Sequence, residues 1–318
     1  MEIQKQILLF FASLHSSFLN LVGQAFTVFG EELVLISFSV FIFWCIDKKK
    51  GFGIVMSIVN SLCVMGIAKA IVKFPRPWTV IDGLDTVRQQ TATGYSFPSG
   101  HTTGAAAAYS ATAVAFRKRW LSIICAALIL LVGISRMYLC VHWPLDVVGG
   151  MLIGCGMTFM FISVFRTAYD DKKRCCRILF WLGVASTVAS FAMSVLVLAG
   201  VLDPIAYEDL SITFAIYGGM AFGLSIERRV FDFRVEKGNW GIKLLRFAFG
   251  MIMIVLLLVL LKKALVVMGI YNIATRSLRY FLIGLWACLY PILGRSMGLF
   301  KGGKDVATSG KLEKVARR

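Results

Sequence analysis

Stretches of about 20 apolar residues recur along this 318-residue chain, separated by short charged segments, and that repetition restricts the fold more than any other feature. A run of this length matches the hydrocarbon thickness of a bilayer, where each backbone N–H and C=O must be satisfied within its own segment. Such runs read as transmembrane helices at roughly 31–46, 51–72, 102–116, 120–139, 145–165, 178–201, 210–226, 244–268 and 280–294. The expected fold is all-α, a polytopic transmembrane helical bundle of about nine spans. Hydrophobic residues make up 58% of the chain and charged ones 16%, which excludes an ordinary soluble domain. Ahead of the spans, residues 3–20 interleave Ile3, Leu8, Phe10, Phe11, Leu14, Phe18 and Leu19 with polar residues, the pattern of a helix lying in the interface.

The net charge of +17 does not point to nucleic acid, because its basic residues sit in short clusters between apolar runs. They report topology instead. With alternate loops on opposite sides, one side collects 24 Lys and Arg and the other ten, so the first is expected to be cytoplasmic. The sparser side includes a 202–209 loop whose only charged residues are Asp203, Glu208 and Asp209. The eight cysteines lie mostly inside apolar runs, with no CxxC pair and no metal-ligand spacing to histidine, and read as small core residues.

Two of the chain's three histidines fall at span ends on the sparser, non-cytoplasmic side. Around them stand three blocks: Lys69, six residues, then Arg76-Pro77; Pro98-Ser99-Gly100-His101; and Ser135-Arg136, five residues, His142, three residues, Asp146. In this order, and joined to this hydropathy, they resemble the type-2 phosphatidic acid phosphatase (PAP2) superfamily, whose pattern is Lys-x6-Arg-Pro, Pro-Ser-Gly-His, Ser-Arg-x5-His-x3-Asp. Every motif position is matched. The resemblance covers roughly 31–165, and a nine-span layout with the first motif after the second span is similar to that of glucose-6-phosphatase.

The residues make chemical sense on their own. Lys69 and Arg76 are two helical turns apart, so both cations face one way if the second span continues through them. Pro75 and Pro77 then end the helix. Gly100 allows close backbone approach, and the helix beginning near Thr102 directs free N–H groups at the loop, where an anion fits; Ser99 is also a natural cap for that helix. Asp146, four residues past His142, is placed to accept a hydrogen bond from one imidazole nitrogen and leave the other free as a nucleophile.

What the resemblance implies follows residue by residue. His142 attacks phosphorus to give a phosphohistidine, oriented by Asp146. His101 protonates the departing oxygen and later activates water. Lys69, Arg76, Arg136, Ser99 and the Gly100 N–H hold the phosphoryl oxygens, and neither metal nor other cofactor is needed. The implied organisation is an interfacial N-terminal helix over 1–30, a PAP2/haloperoxidase-like catalytic membrane core over 31–165, additional transmembrane helices over 166–298 and a basic cytoplasmic tail over 299–318.

The expected activity is hydrolysis of a lipid phosphate or diphosphate (undecaprenyl diphosphate, phosphatidate, phosphatidylglycerol phosphate or a sphingoid phosphate) at the non-cytoplasmic face. Phosphorylated lipid and the surrounding membrane lipids are the expected partners, with no nucleic acid. A soluble ester such as glucose 6-phosphate, or transfer of the phosphoryl group to another acceptor, would use the same residues. A transporter or flippase is the alternative from another class, since many spans and intramembrane cations also suit passage of a substrate.

Overall fold

The computed structural model describes residues 1–235 and 239–302. Eleven α-helices carry the described chain: α1 Glu2–Ser13, α2 Ser17–Val28, α3 Glu32–Phe41, α4 Lys48–Val72, α5 Gly100–Phe116, α6 Arg119–Tyr138, α7 Pro144–Asp170, α8 Lys172–Leu198, α9 Pro204–Val230, α10 Trp240–Val267 and α11 Ile273–Leu293. A π-helical turn, Ile42–Ile46, extends α3, and two-residue strands β1 Phe233–Arg234 and β2 Lys301–Gly302 pair antiparallel. The fold is the expected membrane helical bundle. Each apolar segment read from the sequence coincides with a helix from α3 to α11, and six of these (α4, α6, α7, α8, α9 and α10) are long and apolar enough to cross a bilayer. α3 and α5 are shorter, and α11 carries Arg276 and Arg279 near its start.

The amino-terminal segment differs from the single interfacial helix expected over 3–20. It is two helices bent by 120° at a break after Ser13. Ser16 provides the reason, because its hydroxyl accepts from Leu19 N and caps α2, which restarts the helix on a new axis. The basic tail expected over 299–318 lies, beyond Gly302, outside the described residues.

The chain divides into two compact units. The first comprises residues 1–39, 52–166 and 199–210. Its centre is α5, where Ala105, Ala106, Ala107, Ala108 and Ala111 are fully buried. Small side chains let neighbouring backbones come close, which drives packing where lipid supplies no hydrophobic force between helices. A Cβ on Gly154 of α7 would stand 2.6 Å from the Thr103 carbonyl oxygen of α5, so glycine is what that approach permits. The large apolar residues of α6 and α7, among them Ile123, Leu130, Leu152 and Phe159, face outward, as a lipid-solvated surface requires.

The second unit comprises residues 40–51, 167–198 and 211 onward. Ser190 and Ser194 of α8, Ser211 of α9 and Ser277 of α11 form one buried hydroxyl network. Lys48 pairs with buried Glu227 at 2.7 Å and with Asp232 at 2.9 Å. Lys48, one of the 24 basic residues assigned to the cytoplasmic side, is therefore a buried structural cation. The eight cysteines are all unpaired thiols, and seven are buried, in keeping with a core role.

Candidate active site

The first motif straddles the end of the second span, which falls at residue 72 as read from the sequence. α4 ends at Val72, so Lys69 lies on its last turn, whereas Arg76 arrives on extended backbone with φ −74° and ψ 152°. The two cations therefore do not share a helical face. Residues before Pro75 and Pro77 are pushed out of the helical region, and Lys73, with φ +47°, turns the chain away. Arg76 then reaches the centre of the site from a loop.

That loop, residues 73–99, meets the short α6–α7 connection. Trp143 Nε1 donates to the Pro75 carbonyl at 2.9 Å, and Ser99 N donates to the Asp146 carbonyl at 3.0 Å. A Cβ on Gly150 of α7 would fall 2.9 Å from the Ser99 carbonyl, so the small residue lets the second motif seat on the third. Ser99 is the N-cap of α5, its hydroxyl accepting from Thr102 Oγ1 at 3.0 Å, and His101 occupies the first turn behind it. A Cβ on Gly100 would meet only Met65 Cε at 3.6 Å, an ordinary contact, so internal packing does not itself demand glycine there.

His142 is 2% exposed and held from both sides. Its Nδ1 lies 3.2 Å from Asp146 Oδ2, and its Nε2 lies 2.9 Å from Arg76 Nη1. A guanidinium only donates and a carboxylate accepts, so these partners assign the proton to Nδ1 and the lone pair to Nε2. Burial, followed by the positive charges of Arg76, Arg136 and Lys69, holds the imidazole pKa well below its usual value. The ring is neutral at physiological pH, the state a nucleophile needs. Asp146 is fixed in turn, its Oδ2 also accepting from Trp143 N at 2.8 Å and from the Ser96 hydroxyl.

Arg136 is fully buried at the end of α6. Nη1 donates to Thr27 Oγ1 at 2.8 Å, while Nε and Nη2 meet no partner. Lys69, Arg76, Arg136 and His101 lie within mutual electrostatic reach. Three buried cations thus lie within electrostatic reach of the His142–Asp146 pair, and the further carboxylates that act on them are Asp209, on Lys69 and Arg76, and Glu31, on Arg136. Such a concentration of charge away from water is stabilised by an anion. Among the described residues no three His, Cys, Asp or Glu side chains gather as a metal site, and the donors that converge here suit phosphoryl oxygens.

All eight residues named from the sequence occupy the region where the 73–99 loop, the start of α5 and the α6–α7 connection meet. The sequence reading missed Thr27, which holds Arg136, and Ser96, which holds Asp146. It also missed the carbonyls of Thr93 and Gly94, which accept from Arg76 Nη2 and Nε.

These apolar helices, with a carboxylate-oriented histidine among buried Lys69, Arg76 and Arg136, define an integral membrane protein with a buried cationic site. The PAP2 superfamily matches residues 50–170, and the transmembrane extension of PAP2 superfamily phosphatases matches residues 212–303. The chain belongs to the PAP2 superfamily. It is 30% identical over 129 residues to an undecaprenyl-diphosphatase of Sulfolobus acidocaldarius, covering 39% of this chain and 60% of that one. To a lipid A 4'-phosphatase of Bacteroides thetaiotaomicron it is 27% identical over 182 residues, covering 52% and 80%. To phosphatidylglycerophosphatase B of Bacillus subtilis it is 31% identical over 125 residues, covering 35% and 57%. The matched region thus spans less than two thirds of the length of the Sulfolobus and Bacillus proteins.

Proposed function

We propose that the protein is an integral membrane phosphatase that hydrolyses a lipid phosphate or diphosphate through a phosphohistidine on His142, without a metal. The observation that carries this reading is His142 held between Asp146 and Arg76, beside the unpartnered donors of Arg136. Phosphate oxygens draw Arg76 off the imidazole and fill the free guanidinium positions of Arg136, which exposes the Nε2 lone pair to phosphorus. Nε2 attacks, the ester P–O bond breaks, and His101 gives its proton to the departing oxygen. His101 then takes a proton from water, whose oxygen attacks phosphorus. The P–N bond breaks, releasing inorganic phosphate and neutral His142. Lys69, Arg76, Arg136, Ser99 and the Gly100 N–H stabilise the charge on the equatorial oxygens in this reading.

A lipid substrate is favoured by the setting, since the site sits at the ends of apolar helices where acyl or prenyl chains can remain in the bilayer. Each of the three relatives is also named for a phosphorylated lipid. Phosphate release should be measured with undecaprenyl diphosphate, phosphatidate, phosphatidylglycerol phosphate and a sphingoid phosphate, against glucose 6-phosphate. A preference for glucose 6-phosphate would overturn the lipid assignment. Activity is expected to persist in excess chelator and to be inhibited by vanadate, because fixed cations do the work of a metal. Loss of activity in chelator, restored by Mg²⁺, would refute the metal-free route.

The site is assigned to the non-cytoplasmic face on the 24-to-10 imbalance of basic residues. Gln90→Cys, at an exposed position of the 73–99 loop, should be labelled by an impermeant maleimide added outside intact cells or spheroplasts. Lys173→Cys, also exposed, should react only after lysis. The reversed pattern would move the site to the cytoplasm.

A further inference from the structure

We infer that Asp209 and Asp203, which fall between the two regions matched by the superfamily, are positioning residues that clamp the segment 93–96 and thereby hold Arg76 against His142. Arg76 commits Nε to the Gly94 carbonyl at 3.1 Å and Nη2 to that of Thr93, while Nη1 donates to the Val141 carbonyl at 3.0 Å, so two of the three carbonyls that set its aim lie on this segment. The segment has little secondary structure of its own and is pinned residue by residue. Thr93 Oγ1 donates to Asp209 Oδ2 at 2.9 Å, and the Tyr95 hydroxyl donates to Asp203 Oδ2 at 2.9 Å. Asp203 Oδ2 also lies 3.3 Å from Lys73 Nζ. Ser96 bonds Asp146 and, through its N–H, the Phe74 carbonyl at 2.8 Å.

Both carboxylates stand on a firm base. Asp203 Oδ1 accepts from Ile205 N at 2.9 Å where α9 begins. Ala206 and Leu210 are buried, and a Cβ on Gly66 of α4 would meet Leu210 Cδ1 at 2.7 Å. Gly94, with φ +66°, fills the remaining gap, since its Cβ would lie 3.2 Å from the Ile205 carbonyl and 3.6 Å from Lys69 Cδ. The chain therefore runs Asp209 to Thr93, Thr93 to Arg76, and Arg76 to His142. A displacement of about 1 Å at a group that must meet the transition state costs on the order of 100-fold in rate.

The inference rests on the phosphatase reading, and two readouts keep the two apart. The first is turnover of 4-nitrophenyl phosphate and of dioleoyl phosphatidate in mixed micelles by the full-length protein. The second is the affinity for orthovanadate, a transition-state mimic, compared with inorganic phosphate, neither of which requires turnover. Asp209→Ala and Thr93→Val are each expected to lower kcat/KM by roughly 10- to 100-fold and to weaken vanadate binding far more than phosphate binding. The double variant should be no worse than either single one, because both cut the same link. Asp209→Asn still accepts from Thr93 and should stay within about threefold of wild type. Wild-type kcat/KM and vanadate affinity in Asp209→Ala, or losses that multiply in the double variant, overturn the clamp. If wild type releases no phosphate from either probe, the phosphatase reading falls, and the vanadate pattern across the same variants still decides the clamp.

Discussion

His142→Ala is expected to abolish phosphoenzyme formation with every substrate, whereas His101→Ala should still form it from an ester with a good leaving group and then stall. The difference follows from where the two rings stand. His142 Nε2 carries the lone pair when Nδ1 donates its N–H to Asp146, and that lone pair faces the Arg76 guanidinium at 2.9 Å. Without it the remaining groups bind phosphate but have nothing to transfer it to, and the rate should fall by roughly 10⁴ or more, toward the residual catalysis that binding alone supplies. His101, on the first turn of α5, contributes a proton in one step and removes one in the next. An aryl phosphate leaves without protonation, so its first step survives the substitution while the second loses its base. Rapid-quench trapping of ³²P on purified variants is the measurement, with acid-labile, base-stable label expected on His101→Ala and none on His142→Ala. Label on His142→Ala and none on His101→Ala, even with the aryl ester, would exchange the two roles.

The residues proposed for this chemistry could be named from the sequence because chemistry fixes side-chain type and spacing. His142 and Asp146 are four apart because one turn of chain brings a carboxylate to Nδ1, and Ser99 announces itself by capping α5. The helices were legible because lipid demands apolar runs. What holds the site together was not. Arg76 is steered by the carbonyls of Thr93, Gly94 and Val141, and a carbonyl belongs to every residue type, so no pattern of side chains announces it. Thr27 reaches Arg136 across more than a hundred residues from α2, where a lone threonine in an apolar stretch carries no signal. The condition on which Lys69 and Arg76 would share a helical face, a helix continuing through both, is not met, because the backbone leaves the helix after Val72, ahead of Pro75 and Pro77. Lys48 shows a further limit. A basic residue at a span end counts toward topology in the same way whether it faces water or, as here, a buried glutamate.

Arg136→Met should separate stability from activity, keeping the first while losing the second. Arg136 is fully buried, with Nε and Nη2 unpartnered and one bond to the equally buried Thr27. A buried cation without enough partners destabilises the fold that contains it, and replacing buried charges by apolar side chains of similar volume is often neutral or stabilising by about 1–4 kcal/mol. Against that stands the Thr27 hydroxyl, left without its donor at a cost of about 1–3 kcal/mol. The two effects are of similar size, so the variant without ligand should unfold in detergent at or above the wild-type temperature. Catalysis should respond very differently. A preorganised donor aimed at a developing charge is worth about 10² to 10³ in kcat, and Arg136 has two nitrogens free for that task. Vanadate sharpens the contrast. At 100 times its dissociation constant a ligand stabilises the native state by about 2.7 kcal/mol, a gain wild type should show and Arg136→Met should largely lose. A variant that melts well below wild type without ligand would make Arg136 a structural strut, while one that keeps both activity and the vanadate shift would remove it from the phosphate site.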